Sequence, residues 1–182
     1  MPATAKTARS QRTRGALVAA VHDRLAADGT FTADDIAADV GCTAATFWAH
    51  FGTKDDAITA AFVTALDDLV VLAEHLFDRR SVTAEHVIDE LITYFDRRAL
   101  LYRSAIARFP EHRPLRVAYR GAEARTVDAV ARSLGPDRTL DDAVAVVVFC
   151  QGINNPTLLR SAPGGRTRRR LADALATLLG DG

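Results

Sequence analysis

The stretch from Thr32 to Lys54 constrains this chain more than any other, because it contains two short helical patterns joined by a tight turn. Thr32 is a suitable N-cap for the first helix, and Asp35 stands at the position that completes a capping box. Gly41 accepts the left-handed backbone conformation in which helices often end. Because Thr43 can begin a second helix at once, the sequence predicts a helix-turn-helix, whose second helix is suited to the DNA major groove.

The second helix of this motif separates an apolar face from a more polar one. Phe47 and Phe51 are four residues apart, so they share one helix face and are predicted to pack inward against Ile36 and Val40. For Trp48 the alternative is a buried aromatic of a small helical core. The side chains predicted to lie mostly outside the apolar stripe are Thr43, Ala44, Thr46, Trp48 and His50.

The same residues resemble the tetracycline-repressor (TetR) family of bacterial transcriptional regulators. The family pattern is matched here by Gly41, Thr43, Thr46, Phe47, Trp48, His50 and Phe51, with Lys54 following where the family has Ser-Lys-Glu. The resemblance implies an all-α fold, with a three-helix N-terminal unit that binds DNA and a larger helical domain that dimerises and binds a small molecule. We therefore expect a DNA-binding domain over residues 1–52 and an effector-binding and dimerisation domain over residues 53–182.

The sequence departs from the family pattern on the DNA-facing helix. Ala44 and Ala49 stand where the family often has basic residues, and Trp48 replaces the usual Tyr. These changes remove charge from the predicted recognition surface. They also leave open an alternative from another functional class, a helical ligand-binding or scaffold protein that has lost DNA binding.

The predicted DNA contacts divide into those to bases and those to phosphates. Thr43, Ala44 and Trp48 are expected to face the bases or the groove wall. Lys54 is expected to meet a phosphate, because free backbone N–H groups in the first turn of a helix favour an anion. The complete predicted DNA-binding set is Arg12, Arg14, Thr32, Thr43, Ala44, Thr46, Trp48, His50 and Lys54.

Positive charge is concentrated at the N-terminus, although the formal net charge of the chain is zero. The first 22 residues contain Lys6, Arg9, Arg12 and Arg14 and no acidic residue. A basic arm before a helix-turn-helix can follow phosphates or enter a minor groove. The alternative is a solvated tail that only aids solubility, and we expect its beginning to be disordered.

Bulk composition excludes several classes of protein. The 182 residues suit one or two small domains, and 48% of them are hydrophobic, enough for a real core. No apolar run has the length of a membrane span, and no signal-peptide core is present, so we expect a cytoplasmic protein. Cys42 and Cys150 are far apart and are predicted to be free thiols. We find no pattern for a metal site, a cofactor or a catalytic set, so no enzyme activity is expected.

The rest of the chain is predicted to be helical throughout. Val144–Phe149 is rich in β-branched residues and resembles a buried strand, but no partner strand exists and the apolar run exceeds ten residues. Asn154-Asn155-Pro156 is expected to bend the chain. The predicted helices outside the helix-turn-helix are residues 14–27, 53 to about 79, 81 to about 108, about 115–134, one opening at Thr139, and 166–179.

The last two predicted helices resemble the pair that builds the family's four-helix dimer interface. Their apolar stripes offer more surface than a chain of this size needs, although they could instead close the core of the monomer. A two-fold dimer also suits DNA, because it reads a palindromic site. The predicted interface residues are Val144, Val148, Gly152, Leu171, Leu175 and Leu178.

The middle helices supply aromatic side chains with a few polar groups, the composition of a site for a small apolar or aromatic molecule with a polar end. Each of these residues has plain core or surface as its alternative. The candidate pocket residues are Phe62, Leu66, Tyr94, Phe95, Arg98, Tyr102, His112, Tyr119 and Phe149. Taken together, the sequence predicts a dimeric regulator, most often a repressor in this family, that a small-molecule effector releases from palindromic double-stranded operator DNA.

Overall fold

The computed structural model describes residues 3–77, 83–134, 137–153 and 164–180. Over these residues the chain forms α-helices and no strand, so the prediction of an all-α fold is confirmed. The helices are α1 (Ala3–Asp28), α2 (Ala33–Val40), α3 (Ala44–His50), α4 (Lys54–Phe77), α5 (Ala84–Arg97), α6 (Ala99–Ile106), α7 (Arg113–Ser133), α8 (Leu140–Ile153) and α9 (Gly165–Leu179).

The helices pack into two compact units. Unit 1 comprises Met1–Ala65 and Leu100–Arg116, and unit 2 comprises Leu66–Ala99 and Val117–Gly182. This division by packing differs from the predicted boundary at residue 52, because the beginning of α4 and most of α6 pack with the N-terminal helices. The assignment of DNA binding and effector binding to separate stretches of the chain remains a prediction.

The predicted helix-turn-helix forms in unit 1 for the reasons that the sequence indicated. Thr32 caps α2: its hydroxyl accepts the Asp35 N–H at 3.1 Å, and the Asp35 carboxylate accepts the Thr32 N–H at 3.3 Å. Gly41 ends α2 with φ 70°, and its backbone N–H reaches back to carbonyls of the last turn. Thr43 then caps α3 by accepting the Thr46 N–H at 3.2 Å. The turn is therefore short, as a DNA-binding motif of this kind requires.

Phe47 is the centre of the unit 1 core. Its side chain is fully buried, and its ring contacts those of Phe31 and Phe51, with centroid distances of 6.1 and 5.1 Å. Ile36 is also fully buried, whereas Val40 is only half-buried. The predicted inward face of α3 is thus confirmed, and its burial fixes which residues face outward.

Residues 100–116 complete unit 1 by contacting the beginning of α4. The guanidinium of Arg108 donates to the Asp55 carboxylate at 2.7 Å, and Nε2 of His112 lies 2.8 Å from the Thr59 hydroxyl. Phe62 is fully buried, with its ring 5.1 Å from that of Tyr102. These polar and aromatic contacts hold the start of α4, and the helix-turn-helix before it, to residues distant in sequence.

Unit 2 is built around α5, α8 and α9, which pack against one another. Leu175 on α9 is fully buried within the single chain, where its side chain is part of the protomer core, and its assignment to a dimer interface stays a prediction. Two ion pairs join α4 to α7 within this unit, with Asp67 2.6 Å from Arg125 and Glu74 3.2 Å from Arg132. Both are exposed pairs, which contribute little to stability individually.

Two helical segments differ from the sequence prediction. The helix α1 begins at Ala3 rather than at Arg14, so the expected disordered leader is helical from that residue. The predicted helix over residues 81 to about 108 is two helices, because α5 ends at Arg97 and α6 begins at Ala99. At the joint the Arg98 N–H bonds to the Phe95 carbonyl, a tighter spacing than the α-helix uses.

Residues 140–153 are helical, which confirms the choice of helix over strand for the valine-rich run. Thr139 and Asp142 exchange capping hydrogen bonds of 2.7 and 3.3 Å at the start of this helix. The expected bend at Asn154-Asn155-Pro156 lies outside the described residues. In the described part of the chain, no helix is long and apolar enough to cross a membrane.

An ion pair between Arg24 and Asp39 joins α1 to α2. The Arg24 guanidinium donates to both oxygens of the Asp39 carboxylate, at 2.9 and 3.0 Å. These hydrogen bonds hold the pKa of Asp39 below its ordinary value. Because the unfolded chain then takes up a proton at a higher pH than the folded chain, this contribution to stability is present at neutral pH and is lost as the pH falls.

We therefore expect Asp39→Asn to reduce the acid sensitivity of the protein. The variant should be less stable than wild type near neutrality, and its unfolding free energy should change less as the pH falls from about 5 to about 2, across the range where an unperturbed aspartate protonates. Urea unfolding at several pH values measures this. Asp34→Asn is the control, since Asp34 is exposed on the same helix and shows no ion pair in the described residues. Equal pH profiles for Asp39→Asn and wild type would contradict the expectation.

Candidate DNA-binding surface and effector site

The helix α3 presents a nearly uncharged outer face. Trp48 is 46% exposed, and Ala45 and Ala49 beside it are also exposed. The alternative that Trp48 is a buried aromatic is therefore wrong. Its ring stands edge-on to the buried Phe47, with centroids 4.9 Å apart and an interplanar angle of 88°. The indole is thus supported from beneath while much of its surface remains available to a partner.

The hydroxyl groups predicted to contact DNA already have partners within unit 1. Thr43 and Thr46 share a hydrogen bond of 3.0 Å between their Oγ1 atoms, and Thr32 donates from its hydroxyl to Asp35 at 2.6 Å. Thr32 and Thr43 are exposed, whereas Ala44, Thr46 and His50 are half-buried. A hydroxyl oxygen can accept as well as donate, so the three threonine hydroxyls can still bond to a nucleic acid. Each of them is nevertheless already hydrogen-bonded within unit 1.

Lys54 is part of the internal structure of the motif as well as a candidate phosphate contact. Its Nζ donates to the Phe31 carbonyl at 2.6 Å and lies 4.6 Å from the centroid of the Phe31 ring. The side chain therefore links the residue before α2 to the first turn of α4. An ammonium group has three hydrogens, so one bond to a carbonyl leaves others for a phosphate.

Part of the positive charge of unit 1 lies on α1, and exposed Arg103 and Arg113 add to it from the 100–116 segment. Arg9 and Arg12 are exposed, and Arg14 is exposed with its guanidinium 5.5 Å from the Phe51 ring centroid. No Lys or Arg stands on α3. Any affinity of unit 1 for a polyanion must therefore come from basic residues outside the second helix of the motif, such as those of α1 and Lys54.

The candidate pocket residues do not gather in one unit. Phe62, Tyr102 and His112 belong to unit 1, where Phe62 and Tyr102 contact each other and His112 lies against Thr59. The remaining candidates belong to unit 2: Leu66, Tyr94, Phe95, Arg98, Tyr119 and Phe149. Sequence reasoning missed two long-range polar contacts beside these residues. Thr59 is the partner of His112 and Asp55 is the partner of Arg108, and each pair is separated by more than fifty positions in sequence.

Arg98 is the polar group of unit 2 that most resembles a ligand contact. Its guanidinium lies 4.2 Å from the centroid of the Tyr94 ring and donates to Asp68 at 3.3 Å. Its Nε is buried and has no hydrogen-bond partner among the described residues. A buried donor without an acceptor is unfavourable, so an anionic or carbonyl oxygen placed there would bind favourably.

Three predicted interface residues are exposed on α8. Val148 is 57% exposed and Val144 is 40% exposed, and Gly152, four residues further on, is exposed as well. Leu171 and Leu178 on α9 are half-buried. Exposed valines at this spacing form an apolar stripe along one side of the helix, which the described residues of the chain do not cover.

The pKa values of Cys150 and Tyr119 are raised, so neither side chain is activated as a nucleophile. Burial raises the pKa of the Cys150 thiol to about 12, so it stays protonated at neutral pH. Cys42 is a free thiol, as predicted. Burial, followed by the neighbouring Glu123, raises the pKa of Tyr119. Among the described residues, no group of three or more His, Cys, Asp or Glu side chains is arranged to hold a metal ion.

The solved structures similar to this one include bacterial transcriptional regulators. A proposed transcriptional regulator from Streptomyces coelicolor A3(2) is 16% identical, covers 92% of this chain and 98% of its own, and has a TM-score of 0.68. A proposed TetR-family regulator from Mesorhizobium loti MAFF303099 is also 16% identical, with coverages of 95% and 96% and a TM-score of 0.68.

A third similar structure is the multidrug binding protein EbrR complexed with imidazole. It is 23% identical, covers 93% of this chain and 94% of its own, and has a TM-score of 0.61. No protein-family model matches the sequence, and no curated protein matches it significantly. The likeness to the solved structures extends over nearly the whole chain, and on this evidence the chain has the all-helical fold of the TetR-family transcriptional regulators.

Proposed function

We propose that this protein is a DNA-binding transcriptional regulator that works as a homodimer in the cytoplasm and is released from palindromic operator DNA by a small molecule. The observation that carries the proposal is the helix-turn-helix of unit 1, whose second helix buries Phe47 inward and leaves Trp48, Ala45 and Ala49 outward. A helix held in this way and exposed on its other face is the arrangement that enters a major groove.

The arginines of α1 support DNA as the partner rather than a protein. Arg9 and Arg12 are exposed, and neither has an ion-pair partner in the described residues. Free guanidinium groups next to such a motif can neutralise phosphates and release condensed counterions. The open valine stripe of α8 supports the dimer, since two copies are needed to read two half-sites.

The test is a selection from random-sequence double-stranded DNA followed by a gel shift with the selected site. The proposal expects an enriched palindrome that is bound far more tightly than scrambled DNA at physiological salt. A protein that enriches no sequence and binds all DNA with the same weak affinity would instead support the alternative, a helical ligand-binding or scaffold protein. The observation that favours this alternative is the outer face of α3, which carries no Lys, Arg, Asp or Glu.

The phosphate contacts predict a specific salt dependence. Each neutralised phosphate contributes roughly 0.9 to the slope of log affinity against log salt concentration, so Arg12→Ala should flatten the slope by about 2 per dimer and weaken all sequences alike. Lys54→Ala should flatten it similarly and also lower the melting temperature, because its bond to the Phe31 carbonyl is lost. Arg120→Ala is the control, an exposed arginine of unit 2. Unchanged slopes for both variants would contradict the phosphate assignments.

Effector binding and operator binding must oppose each other by the same factor if the molecule is a switch. We expect anilinonaphthalene sulfonate, an apolar aromatic anion, to bind more weakly when operator is present, as measured by calorimetry. Arg98→Met should weaken the dye, whereas Arg97→Met should not, since Arg97 is the exposed neighbour. Equal dye affinities with and without operator would show that this site does not control DNA binding.

A further inference from the structure

The outward side of α3 carries almost no groups that could read base edges by charge or by unpaired donors. The helix contains no Asp, Glu, Lys or Arg. The hydroxyls of Thr43 and Thr46 bond to each other, and His50 is half-buried at the far end. What the helix offers is mainly apolar surface, namely the exposed side chains of Ala45, Trp48 and Ala49, with the indole N–H of Trp48 as one polar group.

Trp48 is held firmly enough to act as a specificity group. It is 46% exposed, yet its ring meets the fully buried Phe47 ring edge-on at 4.9 Å. Such an edge contact favours one orientation of the indole over others. A large, oriented and partly exposed aromatic is a suitable surface for apolar contact with a flat partner.

The major groove presents one prominent apolar group, the C5 methyl of thymine, while the other base-edge groups there are hydrogen-bond donors and acceptors. We propose that α3 reads thymine methyl groups by apolar contact, with Trp48 as the main specificity-determining residue and Ala45 and Ala49 as the close-approach surface beside it. This inference rests on the proposed DNA-binding function. Phosphate contacts from the α1 arginines would then supply affinity, and methyl contacts would supply sequence preference.

The test replaces thymine by deoxyuridine, one position at a time, in the DNA site obtained by selection. Deoxyuridine keeps every hydrogen-bonding group of thymine and lacks only the methyl. Burying one methyl-sized group corresponds to about fourfold in affinity, so the contacted positions should lose about fourfold each, and symmetric replacement in both half-sites should lose more than tenfold. Fluorescence anisotropy with labelled duplexes measures these ratios.

Variants assign the effect to the side chain. Trp48→Ala should abolish the difference between thymine and deoxyuridine, and Trp48→Leu, which keeps an apolar side chain, should retain part of it. Val117→Ala, which trims an exposed apolar residue of unit 2, should leave the full difference in place. Circular dichroism and melting temperatures confirm that each variant is folded before its binding is compared.

The outcomes separate this inference from the proposed function. A protein that binds its selected site tightly but equally well with deoxyuridine at every position overturns the methyl readout and leaves the regulator intact. A methyl effect that survives in full in a folded Trp48→Ala protein overturns the role of Trp48. A protein that selects no site at all defeats the proposed function itself.

Discussion

Val148→Glu is expected to convert the protein from a dimer into a monomer and to abolish tight binding to a palindromic site. In the single chain Val148 is 57% exposed, so a glutamate there faces water and costs the protomer little. In a dimer whose interface includes α8, the two-fold axis would bury two such carboxylates in an apolar surface. Each unpaired buried charge costs several kcal/mol, enough to dissociate most dimers at micromolar concentration.

Light scattering and gel shift measure the two consequences together. Val71→Glu is the matched control, because Val71 is 63% exposed on α4 of the same unit but outside the predicted interface. Leu175→Glu does not serve this purpose, since Leu175 is fully buried and a charge there would unfold the protomer. If Val148→Glu remained a dimer with wild-type DNA affinity, the α8 stripe would not be the interface.

Phe47→Ala is expected to destabilise unit 1 by about 3–5 kcal/mol, the range for removing a fully buried aromatic side chain. Phe47 supports Phe31, Phe51 and Trp48 at once, so its loss removes both the core of the motif and the base on which the outer face of α3 rests. DNA binding should be lost before the protein is globally unfolded.

Urea unfolding, followed by circular dichroism and by tryptophan fluorescence, measures this effect, with Trp48 as the sole tryptophan reporting on α3. Trp48→Ala is the control in the circular dichroism arm: it removes a comparable aromatic from the neighbouring position and should cost less than Phe47→Ala, because Trp48 is 46% exposed whereas Phe47 is fully buried. Equal losses for the two variants would mean that Phe47 is not the centre of this core.

The sequence predicted best those parts of the structure that local chemistry decides. Thr32, Gly41 and Thr43 specify their own caps and turn within four residues, and the structure follows them. Leu175 illustrates a limit of such reasoning, because an apolar stripe indicates burial without saying whether the same chain or a second copy provides the cover.

Contacts between distant parts of the chain were beyond sequence reasoning for a related reason. The pairing of Asp55 with Arg108, like that of Thr59 with His112, depends on which helices pack together. The spacing of residues along the sequence does not indicate these partners. The break at Arg98 has the same origin. Its flanking residues favour a continuous helix, and the joint is recognisable only from the changed hydrogen bond to Phe95.

The return of residues 100–116 to unit 1 has a consequence for the modularity of the chain. The polypeptide passes from one unit to the other three times, between residues 65 and 66, 99 and 100, and 116 and 117. A fragment ending at residue 52 would lack Asp55, Thr59, Phe62 and the segment that covers them. The proposed DNA-binding part is therefore not one contiguous segment of the chain, and a chimera that transfers it must carry residues 1–65 together with residues 100–116.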